Sequence, residues 1–185
     1  IGDIRCCRLL FLRPVLSAAA LQSERTKWRL DPLVSGGGLF HDLAPHQLDL
    51  AVYFFGEPIA AHGFSGNQAG AYMADDFVSG NILFNDNIVF NGLWSFAAMP
   101  GGDADVFEII GSAGKISFAV FDHLSFTLTT VAGNEVFPFE PLMHVQQPLI
   151  QLVVNYFLGK GENPSSAANG VTVMKLMDEL TRKPL

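Results

Sequence analysis

Three polar side chains with a regular spacing could do chemistry in this chain of 185 residues. Asp42, His46 and Asp49 follow one another at intervals of four and three residues. On an α-helix this spacing puts them on one stripe, because residues three and four apart are neighbours. A carboxylate beside an imidazole orients the ring and raises its basicity, and histidine moves protons near neutral pH. The spacing therefore predicts an acid–base site on one helix face.

Each of these residues also has an ordinary structural interpretation. A histidine on a helix can satisfy its ring nitrogens locally and do no chemistry. Asp42 stands where a helix N-cap would sit and accept a backbone N–H. Asp49 is typical of a solvated helix residue, or of a salt-bridge partner for Arg29 or Arg13. The residue types alone leave the catalytic and the structural interpretations open.

A metal site is an alternative use of the histidines, since imidazoles bind zinc. The candidates are His41, His46 and His144. His41 and His46 are five residues apart, which is about 140° around a helix. They would point in different directions, so we expect no metal.

Glycines at positions 36–38 precede the predicted helix, and Gly56 ends it. A dinucleotide fingerprint needs Gly-x-Gly-x-x-Gly after a strand, and a Walker loop needs Gly-Lys-Ser/Thr. The chain has neither motif, since Gly114 and Lys115 are followed by Ile116. We interpret the glycines at 36–38 as positions where the backbone approaches a cofactor or substrate closely. The sequence predicts no nucleotide-binding site within this chain.

The elements that position these residues are predicted from periodicity. The helix runs over about 42–55, with Pro45 in its first turn, where proline is tolerated. A strand at about 4–12 and a long irregular connection over 14–34 precede it. Further strands are expected at 59–65, 77–84, 88–96, 107–110, 115–118, 124–131 and 136–139, and closing helices at 147–158 and 166–181, the last capped by Ser165 or Ser166.

Strands joined mostly by hairpins, with helices at both ends, indicate an α+β fold. We expect an open, mainly antiparallel β-sheet with helices packed on one face, in a single domain over 1–185. The opposite sheet face, with many phenylalanine positions, is then a candidate interface of a homo-oligomer.

Composition and charge exclude several classes of function. The net charge is −7 and the eleven Lys and Arg residues are scattered, which argues against nucleic-acid binding. The apolar stretch near the start is too short to span a membrane, and we see no signal peptide. Cys6 and Cys7 are adjacent and would point to opposite faces of a strand, so a disulfide framework is not expected. We expect a soluble, cytoplasmic protein.

Residues 35–58 resemble the substrate-domain motif of the glucose–fructose oxidoreductase / inositol dehydrogenase / MocA (Gfo/Idh/MocA) family. The matching residues are Gly36, Gly37, Gly38, Asp42, His46, Asp49 and Gly56. Ala44 departs from the pattern, because the family often has glycine there. Segments 108–115, 144–151 and 163–166 are also similar, so the resemblance covers nearly all of the chain.

The resemblance implies a dihydrodipicolinate-reductase-like C-terminal domain, whose open sheet face commonly pairs subunits. It implies that His46 is the acid/base acting on a substrate hydroxyl, and that Asp42 binds a sugar hydroxyl or steers the histidine. Trp28 would stack on a sugar ring or simply pack its loop. The further substrate-binding candidates are Trp28, Arg29, His41, Asp49 and His144, the last also interpretable as an ordinary loop histidine.

The resemblance also implies a reaction, the oxidation of a secondary alcohol of a sugar or cyclitol, or its reverse, with NAD or NADP. In the family, the cofactor fingerprint and a Glu-Lys-Pro lysine lie in an N-terminal Rossmann domain, and neither motif occurs here. We therefore expect the C-terminal half of a two-domain oxidoreductase, inactive alone and unable to bind the cofactor. The competing interpretation is a non-catalytic carbohydrate-binding or dimerisation module of the same fold.

Overall fold

An open sheet of eight strands forms the frame of the molecule. In the computed structural model, which describes residues 1–122 and 124–183, the strands are β1 (Ile4–Pro14), β2 (Pro58–Gly66), β3 (Phe77–Phe84), β4 (Val89–Ala98), β5 (Ala104–Gly111), β6 (Gly114–Phe118), β7 (Ser125–Thr130) and β8 (Gly133–Pro138). Their order is β2-β3-β4-β1-β5-β6-β7-β8. β1 and β4 are parallel, and the other neighbours are antiparallel. The predicted α+β fold with a mainly antiparallel sheet is confirmed.

The helices of the described residues are α1 (Ala18–Gln22), α2 (Glu24–Leu30), α3 (Pro32–Ser35), α4 (Leu39–Phe55), α5 (Gln147–Phe157) and α6 (Ala167–Thr181). Ser166 caps α6, as predicted, by accepting the N–H of Asn169. The predicted start of α4 is wrong, because the helix begins three residues earlier. Pro45 therefore lies in the second turn rather than the first. None of these helices is long and apolar enough to cross a membrane.

The prediction of an irregular connection over 14–34 is wrong, because α1, α2 and α3 occupy most of it. Ser17 caps α1 by accepting the N–H of Ala20, and Asp31 caps α3 by accepting that of Leu33. These short helices have few residues to show a periodic pattern, so their caps were the available signal.

The core lies between the sheet and the pair α4 and α6. One face of α4 buries Phe40, Ala44 and Leu48 against the sheet. Full burial of a side chain as large as Phe40 or Leu48 stabilises the fold by about 1.5–3 kcal/mol. Gln47 is also buried, and its Oε1 accepts a hydrogen bond of 2.6 Å from Nε1 of Trp94. This bond satisfies the indole N–H and ties α4 to the centre of the sheet.

The prediction of a phenylalanine-rich open sheet face is wrong. Phe11, Phe90 and Phe107 are buried on the face that carries the helices. The opposite face carries Glu108, which contacts the guanidinium of Arg8 and accepts a bond of 2.6 Å from Nζ of Lys115. Strand alternation tells which residues share a face, but not which face the helices will cover.

Candidate functional site

The glycines before α4 allow close packing within the chain. A Cβ on Gly37 would lie 2.0 Å from Nδ1 of His41, and one on Gly38 would lie 2.4 Å from the Cβ of Ala74. Gly38 also has a φ of 79°, which side-chain-bearing residues rarely adopt. Both positions are thus explained by protein contacts, and a ligand contact at 36–38 stays a prediction.

Asp42 pairs with an arginine from a different helix. It lies in the first turn of α4, but Gly38 is the N-cap residue, so the capping interpretation of Asp42 is wrong. Nε of Arg29 lies 2.9 Å from Oδ2 of Asp42. The same guanidinium donates from Nη1 to the carbonyl of Arg25 at 3.0 Å and lies 4.8 Å from the ring centre of Trp28. The end of α2 thus supplies both a positive charge and an aromatic ring beside Asp42.

His46 is exposed on the same stripe of α4, and an aromatic ring contacts it. The rings of His46 and Phe121 meet edge to face with their centres 5.8 Å apart. The backbone of Phe121 is held in turn, because its N–H donates to Asp105 at 2.7 Å. Within the described residues, no hydrogen bond joins Asp42 to His46. Phe121, which the sequence did not point to, is therefore the aromatic residue that contacts the imidazole in this structure.

Asp49 is exposed and has no ion-pair partner in the part of the chain that the structure describes. The arginines considered for it are engaged elsewhere, Arg29 with Asp42 and Arg13 with Asp103 at 3.5 Å. The salt-bridge interpretation of Asp49 is therefore wrong, and the solvated one fits.

His46 and Asp49 line an open cleft of about 600 Å³ between α4 and α6. The α6 side of this cleft includes Met174, Lys175 and Asp178. Sequence reasoning missed these residues, because their nearness to α4 follows from helix packing and not from a local spacing. Among mostly apolar lining residues, the cleft presents an imidazole, carboxylates and an ammonium group, which can hydrogen-bond to the hydroxyls of a ligand.

His41 points into a separate cavity of about 380 Å³, next to Asp75 and Lys183. Burial lowers the pKa of His41, and its Nδ1 has no hydrogen-bond partner in the described residues. Burial alone would raise the pKa of Asp75, but bonds from Lys183 and Ser65 outweigh it and hold the pKa below its usual value. His41 and His46 thus line different cavities. The described residues contain no group of three or more His, Cys, Asp or Glu placed to bind a metal.

His144 and Trp28 differ in their surroundings. His144 is exposed just before α5, where its carbonyl accepts the N–H of Gln147 at 3.0 Å. It lines neither of the cavities that His46 and His41 line. Trp28 is 47% exposed and lies against Arg29. The structure thus groups Trp28 and Arg29 with Asp42, and leaves His144 outside both cavities.

Two sequence comparisons, one with a family model and one with a curated protein, each match more than half of this chain. Residues 1–117 match the model of the GFO/IDH/MocA C-terminal domain. Oxidoreductase P35 of Formosa agariphila is 38% identical over 161 residues, which are 85% of this chain and 48% of that protein. The chain therefore spans about half the length of this curated relative.

Solved structures share the fold at low sequence identity. Levoglucosan dehydrogenase in complex with NADH and levoglucosan superposes with a TM-score of 0.78 at 20% identity, over 97% of this chain and 56% of that one. An oxidoreductase from Agrobacterium radiobacter in complex with NAD+, L-tartaric acid and magnesium gives 0.76 at 15%, over 96% and 54%. Aldose–aldose oxidoreductase from Caulobacter crescentus, complexed with glycerol, gives 0.75 at 15%, over 97% and 53%. At these identities the similarity shows the fold.

Proposed function

The chain belongs to the GFO/IDH/MocA oxidoreductase family, and from this membership we propose that it is the substrate domain of an NAD(P)-dependent dehydrogenase. The substrate we propose is a secondary alcohol of a sugar or cyclitol. The observation that carries the proposal is the single face of α4 that presents Asp42, His46 and Asp49, with His46 and Asp49 opening onto the cleft between α4 and α6. Levoglucosan dehydrogenase, which shares the fold, holds NADH and a sugar derivative in its structure, and this supports the proposal.

The residues of this chain would carry the proton transfer. His46 is exposed at the cleft and takes the proton of the substrate hydroxyl, with its ring in contact with Phe121. Asp42 accepts a hydrogen bond from a neighbouring hydroxyl, which fixes the substrate relative to the imidazole. Hydride transfer from the same carbon is the chemistry that a bound nicotinamide supplies.

Residues 36–38 do not fit the pyrophosphate of the cofactor. The N–H of Gly36 donates to the carbonyl of Pro32 at 3.1 Å, and those of Gly37 and Gly38 donate to Oγ of Ser35 at 3.4 and 2.8 Å. No dinucleotide fingerprint occurs in the chain either. We therefore assign the cofactor to a Rossmann domain outside these residues and derive no step through it. Assembly into a homo-oligomer through the open sheet face, and a cytoplasmic location, stay predictions.

The test is His46→Ala in the complete protein. We expect turnover to fall by about 10²–10⁴-fold, because the general base is removed, while the unfolding temperature stays close to that of the wild type. His62→Ala is the matched control, since His62 is exposed on β2 and lines neither cavity described above. Unchanged turnover in His46→Ala would contradict the proposal. If the wild type binds a sugar without turnover, and the variant keeps that affinity, the protein is the non-catalytic module instead.

A further inference from the structure

Arg29 lies where the end of α2 meets the first turn of α4. We propose that Arg29 is a positioning residue that holds one oxygen of Asp42 and leaves the other free to accept a substrate hydroxyl. This inference rests on the proposed function, since it concerns how Asp42 meets the substrate. Sequence spacing does not indicate the pairing, because residues 29 and 42 lie on different helices.

The nearest approach of the pair joins the guanidinium to one oxygen of the carboxylate. Nε of Arg29 lies 2.9 Å from Oδ2 of Asp42, and the two side chains are 35% and 34% exposed. The Nε–H is not aligned for a hydrogen bond, so the contact is held by charge. In the described residues, Oδ1 of Asp42 accepts no hydrogen bond from the protein. That oxygen keeps its full capacity as an acceptor.

Arg29 can act as a support because it is itself held in place. Its Nη1 donates to the carbonyl of Arg25, and its planar guanidinium lies over the ring of Trp28. The next residue, Leu30, is buried, and its carbonyl accepts the N–H of Ala74 at 3.3 Å. The backbone just after the arginine is therefore anchored to the body of the domain, and the guanidinium has little freedom to follow a moving carboxylate.

The consequence is a division of roles on α4. A carboxylate without its arginine would rotate freely, and it could turn toward His46 one helical turn away. Binding of the substrate hydroxyl would then require Asp42 to be ordered again, at a cost in affinity. The bond from the hydroxyl to Asp42 is made in the ground state as well as in the transition state. Its loss should therefore raise KM more than it lowers kcat.

The experiment is a double-mutant cycle in the complete protein, with Arg29→Met and Asp42→Asn. We expect Arg29→Met to raise KM about tenfold with kcat changed less, as for loss of one well-directed hydrogen bond. In the Asp42→Asn background, the same change should have little further effect on KM, because there is no carboxylate left to hold. Arg25→Met, which removes an exposed arginine from the same helix, should leave KM unchanged.

Two further variants keep the outcomes distinct. Arg29→Lys retains the charge without the planar fork, so it should give a KM between those of the wild type and Arg29→Met, and it tests the inference if Arg29→Met does not fold. An unchanged KM in Arg29→Lys and Arg29→Met, or additive effects with Asp42→Asn, would overturn the positioning role. If the positioning role is overturned in this way but His46→Ala still loses turnover in the same assays, the proposed function stands and only the inference about Arg29 fails.

Discussion

At the scale of single residues, the sequence predicted that Asp42, His46 and Asp49 share a helix face, but it did not predict which residues contact them. The pattern predicted one helix face, and α4 provides it. The partner of Asp42 is Arg29 on another helix, and the ring beside His46 belongs to Phe121, 75 residues further along the chain. Helical periodicity describes neighbours within one helix. Contacts between elements depend on packing, which no local pattern encodes.

Two glycines that flank α4 give a matched pair for a prediction about stability. Gly38 and Gly56 have nearly the same backbone, with φ/ψ of 79°/−152° and 80°/−157°. A Cβ on Gly38 would lie 2.4 Å from Ala74, whereas one on Gly56 would have no atom within 4 Å. We expect Gly56→Ala to lower the free energy of unfolding by about 1–3 kcal/mol through backbone strain alone. Gly38→Ala should lower it by about 1–3 kcal/mol more, because overpacking is added.

Chemical denaturation of both glycine variants and the wild type measures this difference directly. The variants share the backbone strain, so subtracting one loss from the other isolates the contact with Ala74. Equal losses would mean that the segment carrying Ala74 moves aside without cost, and that the close approach at Gly38 does not stabilise the start of α4.

At the scale of elements, the sequence predicted where the strands lie. It predicted only in part how the helices pack on the sheet. Hairpin signals such as Asn85, Asp86 and Asn87 separate the strands, and the structure has a short 3₁₀ turn there with positive φ at Asp86 and Asn87. The short helices over 14–34 were missed, because their caps are their main signal. The face that receives the helices was also missed. In the described residues α5 buries no side chain, so the core rests on the sheet, α4 and α6.

The open sheet face supplies a prediction about pH. The side chain of Glu108 is 5% exposed between Arg8 and Lys115. Burial alone would raise the pKa of Glu108, but bonds from Lys115 and Arg8 outweigh it and hold the pKa below its usual value of 4.5. A carboxyl whose pKa is lower in the folded state stabilises the fold above the unfolded pKa, and this contribution is lost as pH falls through the folded pKa. We therefore expect the free energy of unfolding to decrease as the pH is lowered below about 4.5.

Glu108→Gln should remove this group's share of the pH dependence and should also lower stability at pH 7, because it leaves Arg8 and Lys115 without their carboxylate. Urea denaturation between pH 3 and 7 measures both effects. Asp103→Asn is the control, since its pair with Arg13 is far more exposed and should matter little. Parallel pH curves for Glu108→Gln and the wild type would show that Glu108 does not carry this dependence.

At the scale of the whole molecule, our proposal assigns the substrate to this chain and the cofactor to residues outside it. We expect no binding heat when NAD(H) or NADP(H) is titrated into these 185 residues. The physical reason is that a pyrophosphate needs free backbone N–H groups, and those of residues 36–38 already donate to the carbonyl of Pro32 and to Oγ of Ser35. The measurement is calorimetry on this chain, with the complete protein as the control that should bind. A micromolar dissociation constant for the chain alone would contradict the assignment of the cofactor to another domain. It would also require a site that residues 36–38 do not provide.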